Sequence, residues 1–495
     1  MAKLFNRGSL NYSFHDLLGL FYIDFLKYAN GDGGLGIVLT PPHITELFCD
    51  LADINQDSVV FDNCCGTGGF LISAMGRMTN QAQGDSDKIE SIHSKQLIGI
   101  ENNAKMFCLA CSNMMLRGDG KANIYQQDCF EFNHKEIKDL KPNVAFLNPP
   151  YSKKKNEYKE LEFVRNALSF LEPNGLCVAI VPQSCAMNTK NKQLKKRILE
   201  KHTLKAVMSM PDKLFEDSEK SAVTCIMIFE AHKPHNKDVK TWFGFWKDDG
   251  FIKQRNQGRI DFYGDFENNI KHEWLTGYRD KREEPKKSVL KSVDFEDEWL
   301  VEPYLVTDFE QLRDEHFEKS MRDFASFLFI NEKTNYTSDE PTIQTNLYLD
   351  FSKWKSVSLD QLFEIIGSTT TDIKKLKLNH SNNDEFPYVS TQSSNNGIRG
   401  FYDKWTEEGN ILTVDSAVIG YCAYQPFNFS ASDHVEKLIP NFEMDVNRGL
   451  FLATVINLEQ YRYSYGRKFN QDRIKNTHIK LPFSQKMGGG RLGIC

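Results

Sequence analysis

From Ile37 to about Glu230, short apolar runs alternate with longer amphipathic stretches. The runs are too short to be helices of their own, and their continuous apolar character suits strands buried on both faces. Strands separated by helices in this manner build a mainly parallel sheet with helices covering it, so an α/β fold is expected. The spacing predicts strands at Ser58–Asn63, Gln96–Glu101, Asn123–Gln127, Asn143–Asn148, Leu176–Pro182, Leu204–Met210 and Thr224–Ala231. Upstream, apolar residues from Phe14 to Tyr28 recur at helical spacing until Gly31–Gly36 breaks the pattern, which predicts an N-terminal helical segment over 1–36.

A chain of 495 residues exceeds one ordinary core. After the α/β region (37–235), residues 236–350 are polar and charge-rich, and read as a strand pair near Thr241–Phe251 followed by a mostly helical connector. A new pattern starts near Phe351, with short β-branched and aromatic runs punctuated by Asn, Pro and Gly. It predicts a second domain rich in β-structure over 351–483, then a tail, 484–495. No apolar run approaches the roughly 20 residues of a membrane helix, and no signal-peptide pattern is present, so a cytoplasmic location without membrane partners is expected. Eleven scattered cysteines suit a reducing compartment better than a disulfide framework. Cys108 and Cys111 form a lone C-x-x-C with no second pair at metal spacing, so no metal site is expected there.

Within the first region, Val59–Leu71 reads as a buried strand, a glycine-rich turn and a helix. The small residues let a ligand approach the backbone closely, and the turn stands at a strand's carboxyl end, where open α/β sheets bind ligands. No G-x-x-x-x-G-K-[ST] is present, which excludes an ATP P-loop, and Leu71 stands where the third glycine of a dinucleotide motif would be. The next strand ends in Glu101, an acid able to accept from both hydroxyls of a ribose. A polar insert near Thr79–Ser94 lengthens the connection to it. The third strand is followed by Asp128, whose carboxylate suits an adenine amino group.

The fourth strand delivers Asn148-Pro149-Pro150-Tyr151. An Asn oxygen and a neighbouring backbone carbonyl can accept both hydrogens of an exocyclic amine and favour a more tetrahedral nitrogen, which is stabilisation aimed at where charge develops. The two prolines stiffen the loop and remove competing N–H donors. Tyr151 offers a stacking surface to a flipped base.

Asp62-x-x-Cys65-Gly66-Thr67-Gly68-Gly69-Phe70 followed by Asn148-Pro149-Pro150-Tyr151 resembles the amino-methyltransferases. More narrowly, it resembles the modification subunits of type I restriction systems and the related fused type II enzymes. Leu39-Thr40-Pro41-Pro42 resembles the segment that this group places at the methionine end of its cofactor, and the motif order matches the gamma class. The resemblance covers roughly residues 10–235. It implies a Rossmann-like methyltransferase sheet, S-adenosylmethionine as cofactor, and methyl transfer to adenine N6 in double-stranded DNA. It further implies that Asp62 and the Gly66-Thr67-Gly68 backbone hold the methionine part, Glu101 the ribose, and Asp128 the adenine, that Thr40, Cys65 and Asn148 also line the cofactor, and that Asn148 and Tyr151 stand at the target base. Asn63 and Cys64 depart from the group's usual Pro and Ala.

Residues 351–483 resemble a target-recognition domain of the type I specificity subunit, which implies a C-terminal α+β reading domain. The resemblance rests on Trp354–Leu359 with Leu362–Ile365, Phe386–Thr391, Asn395-Asn396-Gly397-Ile398 and Ser432-Asp433-His434-Val435. The net charge of −6 hides an uneven distribution: residues 351–495 carry 17 Lys and Arg against 15 Asp and Glu. Between Tyr461 and Asn470 basic residues interleave with aromatics, and Arg462, Arg467, Lys468 and Arg473 are the expected phosphate contacts. His434 reads as a structural histidine, and Lys190–Arg197 as either a second basic stretch or a solvated helix face. Specificity subunits normally carry two recognition halves and this chain holds one. It is therefore expected to pair with itself, a second specificity half or a restriction subunit. The alternatives are a modification and specificity fragment of a fused restriction enzyme, and an amine methyltransferase acting on protein glutamine or RNA. The glycines at 488–490 interrupt the hydrophobic pattern, and the chain end is read as either the short product of a length-variable guanine tract or an ordinary tail.

Overall fold

The computed structural model describes residues 39–119, 123–132, 134–151, 158–187, 189–215, 222–254, 258–330, 350–376 and 386–482. The expected N-terminal segment and the tail lie outside the described residues. The chain divides into two compact units between Leu305 and Val306.

Nine strands of the first unit share one sheet: β1 (Val60–Asp62), β2 (Leu97–Glu101), β3 (Asn123–Gln126), β4 (Val144–Leu147), β5 (Leu176–Pro182), β6 (Thr203–Ser209), β7 (Thr224–Glu230), β8 (Lys240–Phe245) and β11 (Ser288–Ser292). β9 (Ile252–Gln254) and β10 (Gly258–Ile260) pair apart from it. The spatial order is β11-β8-β6-β7-β5-β4-β1-β2-β3. β3, β2, β1, β4 and β5 run parallel, and β7 runs against both β5 and β6. β1 and β4 are buried along their whole length, as the apolar runs Val59-Val60-Phe61 and Val144–Leu147 favour, and the burial extends to Asp62 at the end of β1. Because β2 and β4 flank β1, the strand order reverses direction there, and such switch points open a crevice beyond the carboxyl ends of the strands.

The longer helices of the first unit are α1 (Pro42–Leu51), α2 (Gly69–Gln81), α3 (Ser86–Lys95), α4 (Ala104–Met115), α5 (Glu160–Phe170), α6 (Lys192–Leu199) and α7 (Lys271–Arg279). α1 begins with proline at its first helical position, where the missing N–H costs nothing. The Phe48 ring lies 4.6 Å from that of Phe70 and 5.6 Å from that of Phe146, which packs α1 and α2 against β4. The polar insert before β2 is α3, capped by Asp85, whose side chain accepts from Lys88 N at 2.9 Å.

The strand pair expected near Thr241–Phe251 does not form. Instead β8 lies parallel to β6 and takes β11, far along the chain, as its antiparallel neighbour. The expected connector 236–350 divides at the unit boundary: β8 to β11 extend the first sheet, whereas α8 (Asp314–Ile330) belongs to the second unit.

In the second unit β12 (Trp354–Ser358) pairs with β20 (His478–Pro482), joining the start of the β-rich region to its end. Between them lie β13 (Phe363–Gly367), β14 (Phe386–Val389), β15 (Ile398–Tyr402), β16 (Ile411–Asp415), β17 (Cys422–Gln425), β18 (Ser430–Ala431) and β19 (Val435–Pro440). They form the sheets β13-β19-β16-β17 and β15-β14-β18. α9 (Val446–Asn457) is fixed to β17 by Asn457, which accepts from Cys422 N at 2.8 Å and donates to Cys422 O at 2.9 Å. α8 joins the same core: Thr454 donates to Ser320 at 2.8 Å, and Tyr421 donates to Asp323 at 3.0 Å.

Candidate active site

β1 ends at Asp62, and the chain turns sharply back over the sheet. Gly66 (φ +55°) and Gly68 (φ +84°) occupy left-handed conformations that favour glycine. The turn is tied down by Cys65 N donating to Ile100 O at 3.0 Å and Gly68 N donating to Cys65 O at 2.8 Å. A Cβ at Gly66 would meet nothing within 4 Å, so the turn presents bare backbone to open space. Gly99 on β2 is needed behind it, because a Cβ there would come within 2.9 Å of Cys65 Sγ.

The acids expected at the strand ends fall on three adjacent strands, in the order Asp62, Glu101, Asp128. Asp62 is only 1 % exposed and accepts from Cys64 N at 3.0 Å. Burial pushes its carboxyl up from 3.8 to about 7, and the charge of Glu101 adds to the rise. Glu101 binds the turn itself: its two oxygens accept from Gly66 N at 2.9 Å and Asn103 N at 2.7 Å, while burial raises its pKa. Asp128 accepts from Phe130 N at 2.9 Å and so shapes the loop after β3.

One strand away, Asn148 leaves β4 with its amide nitrogen donating to Thr40 Oγ1 at 3.1 Å. Thr40 stands just before α1, so two segments far apart in sequence meet at the switch point. Pro149 is buried and Pro150 exposed. Tyr151 is half-buried, and its hydroxyl is enclosed with no hydrogen-bond partner among the described residues. Burial raises the Tyr151 pKa, and Cys185 and Glu160 lie near enough to raise it further.

Sequence reasoning missed the residues that brace this edge. Asn63 donates to Phe163 O at 2.9 Å and to Asn166 Oδ1 at 2.8 Å, and Asn166 donates to Cys129 O at 3.2 Å. This relay connects the turn after β1 to α5 and to the loop after β3. Asn113, fully buried on α4, donates to Thr67 O at 2.9 Å and holds the glycine turn from the other side. Phe130 stacks on Tyr158 at 3.8 Å beside Asp128. An asparagine on the apolar stripe of an amphipathic helix was the signal available for Asn113 and Asn166.

In the second unit the expected phosphate contacts are placed differently from one another. Arg462 pairs with the buried Glu459 and donates to Thr307 at 3.1 Å. Arg467 is 5 % exposed and donates to Arg462 O at 3.1 Å. Both guanidinium groups serve the unit's own packing. Arg473 donates to Lys468 O at 2.8 Å, and the Lys468 ammonium lies 5.6 Å over the exposed ring of Tyr465.

A strand running against its neighbours beside β5, with a glycine turn after β1 and an Asn-Pro-Pro loop after β4, sets this sheet apart from an all-parallel dinucleotide-binding one. It is a Rossmann-like methyltransferase sheet. The chain belongs to the N-6 DNA methylase family, whose model matches residues 13–297. Residues 352–486 match the type I restriction modification DNA specificity domain. The chain is 37 % identical over 337 residues to the type II restriction enzyme and methyltransferase RM.BcgI of Heyndrickxia coagulans, covering 66 % of this chain and 52 % of that protein. It is 30 % identical over 138 residues to the specificity subunit S.BcgI of the same organism, covering 26 % of this chain and 38 % of the subunit. It is also 26 % identical over 271 residues to the type I restriction enzyme MjaVII methylase subunit of Methanocaldococcus jannaschii, covering 49 % of this chain and 45 % of the subunit. The chain thus spans about half the length of the curated relatives it matches, or less.

Proposed function

We propose that this chain transfers a methyl group from S-adenosylmethionine to adenine N6 in double-stranded DNA, as the modification and sequence-reading part of a restriction-modification system. The first unit, whose sheet extends through β11, carries the chemistry, and the second unit, with α8 and residues 351–483, reads the target. The observation that carries this reading is the Asn148–Thr40 contact at the switch point, one strand from the open glycine turn.

The residues present suit the cofactor. Asp62 is a desolvated carboxylate whose raised pKa marks a charge lacking compensation, and the ammonium of a methionine part would supply it. The bare backbone at Gly66 leaves room for close approach. Cys65, Thr67 and Gly68 complete the turn, Glu101 accepts from ribose hydroxyls, and Asp128 accepts from the adenine amine. When bound, S-adenosylmethionine supplies an electrophilic methyl on a sulfonium centre. Thr40 orients the Asn148 carboxamide so that its oxygen, with the Pro149 carbonyl, accepts the two hydrogens of the target amine. The amine nitrogen would gain the methyl as the methyl–sulfur bond breaks with its electron pair left on sulfur, giving a neutral thioether, and the nitrogen would release a proton to water. Pro149 and Pro150 hold the loop rigid, and Tyr151, anchored by its buried end, offers its ring to the flipped base. Lys468 and Arg473 contact phosphates, with Arg462 and Arg467 supporting the stripe from inside.

Among the described residues no helix is long and apolar enough to cross a membrane, and we place the reaction in the cytoplasm, where DNA and cofactor meet. The match to a specificity domain favours DNA over RNA or protein glutamine. A second recognition half, a restriction subunit or another copy of the chain would complete the assembly. Purified chain given methyl-labelled S-adenosylmethionine should label duplex DNA as N6-methyladenine; label in RNA or protein, with none in DNA, would overturn the reading.

A further inference from the structure

The expected phosphate stripe at 461–470 turns Arg462 and Arg467 inward, which leaves open where the second unit meets base edges. The turn after β13, the start of β15 and the turn before β19 converge on one patch. Thr371 N donates to Ala431 O at 2.9 Å, Ser432 N to Val389 O at 2.9 Å, and Ser368 N to Val435 O at 3.0 Å. Tyr388 on β14 donates to Thr371 O at 2.8 Å, and Arg399, Asp433 and Asp372 all lie near enough to act on that hydroxyl.

Four side chains project from this patch: Asp372, Arg399, Asp433 and His434, all exposed. The Asp433 and His434 side chains are 71 % and 53 % exposed, with their charged atoms 3.6 Å apart. His434 sits in the left-handed region (φ +64°), a conformation kept only where its surroundings insist on it. Ser416 supplies that insistence, donating to the His434 carbonyl from its N–H at 2.8 Å and from its hydroxyl at 2.9 Å. Asp372 Oδ1 accepts from Lys374 N at 3.0 Å, which pins its own turn. The side chains are therefore exposed while the backbone beneath them is fixed.

Two acids beside one arginine make a poor seat for phosphate. They make a good reader of bases, since phosphate contacts position a protein whereas donors and acceptors at base edges specify the sequence. Arginine pairs with guanine in the major groove, and carboxylates accept from the cytosine amine. We propose that Asp372, Arg399, Asp433 and His434 form the base-reading face of the second unit and select the DNA sequence that is methylated. This inference rests on the proposed function, and is separable from it by experiment.

The test is methylation-sensitive sequencing of DNA from cells expressing the full chain, Arg399→Ala or Asp433→Ala. The substitutions are at exposed positions, so thermal melting should be unchanged. Each variant should lose its preference at one or two positions of the methylated site by roughly tenfold or more. Should a variant methylate nothing, competition between target and scrambled duplexes for binding decides: lost preference supports the face, retained preference overturns it. Undiminished preference in both variants overturns this inference alone. Absence of methylation by the unaltered chain would overturn the proposed function with it.

Discussion

Replacing Asp62 by asparagine should stabilise the first unit at high pH while destroying cofactor affinity. The carboxyl is 1 % exposed, and burial raises its pKa from 3.8 to about 7. An unfolded chain releases this proton near 3.8, but the folded chain holds it until about 7. Between those values the folded state binds more protons, so stability falls as pH rises, and the penalty is complete above about 7. At ~1.36 kcal/mol per pH unit, the penalty grows by about 2.7 kcal/mol between pH 5 and the plateau. The neutral carboxamide of Asp62→Asn would avoid it, and its carbonyl oxygen can keep the hydrogen bond from Cys64 N. Urea unfolding at pH 5 and pH 8, read by hydrogen exchange in peptides spanning β1 and β2, measures the difference. The variant's advantage should be larger at pH 8 by roughly 2–3 kcal/mol. A difference constant with pH, or one that shrinks at pH 8, refutes the account of Asp62 as a desolvated, uncompensated charge.

The same carboxyl makes cofactor binding pH-dependent in the opposite sense, since an ammonium partner requires the ionised form. Calorimetric affinity for S-adenosylmethionine should be roughly eightfold weaker at pH 6 than at pH 7.5, with protons released on binding; equal affinities would contradict it. Asn148→Ala should cut methyl transfer on the order of 100-fold or more while calorimetric cofactor affinity persists. Gly99→Ala forces a Cβ to within 2.8 Å of Ile124 Cδ1 and 2.9 Å of Cys65 Sγ, and overpacking should lower unfolding stability by about 1–3 kcal/mol. Arg462→Ala leaves Glu459, 2 % exposed, as a buried charge without its partner, so a melt should show a loss of about 3 kcal/mol or more. An Arg462→Ala chain with normal stability and weakened DNA binding would instead mark a phosphate contact.

The strands β1 to β7 were legible as short runs bounded by turn residues, and the parallel arrangement of β1 to β5 followed from the helices between them, whereas β7 runs against both of its neighbours. The glycine turn after β1, the position of Glu101 at the end of β2 and the Asn-Pro-Pro-Tyr loop after β4 were legible because their placement depends on neighbours in sequence. β8 was misplaced because pairing with β6 and β11 is decided by which edges remain open once the sheet has formed. α8 was assigned to a connector, since the core it packs on lies far downstream: Tyr421 is 98 residues from its partner Asp323, and Thr454 is 134 residues from Ser320.

By itself the amino-acid sequence determined the local devices: strand periodicity, left-handed glycines at a turn, and stiff prolines beside an amide. Only the tertiary structure decided how they work together. It set Thr40 against Asn148, buried Asp62 deeply enough to shift its titration, and joined Asn63 to Cys129 through Asn166. It also turned Arg462 and Arg467 inward while exposing Arg399 and Asp433. The physical reason is one of range. Backbone preference and hydrophobic period act over a few residues, whereas desolvation, ion pairing and hydrogen-bond satisfaction depend on which distant groups the packed chain brings within about 3 Å.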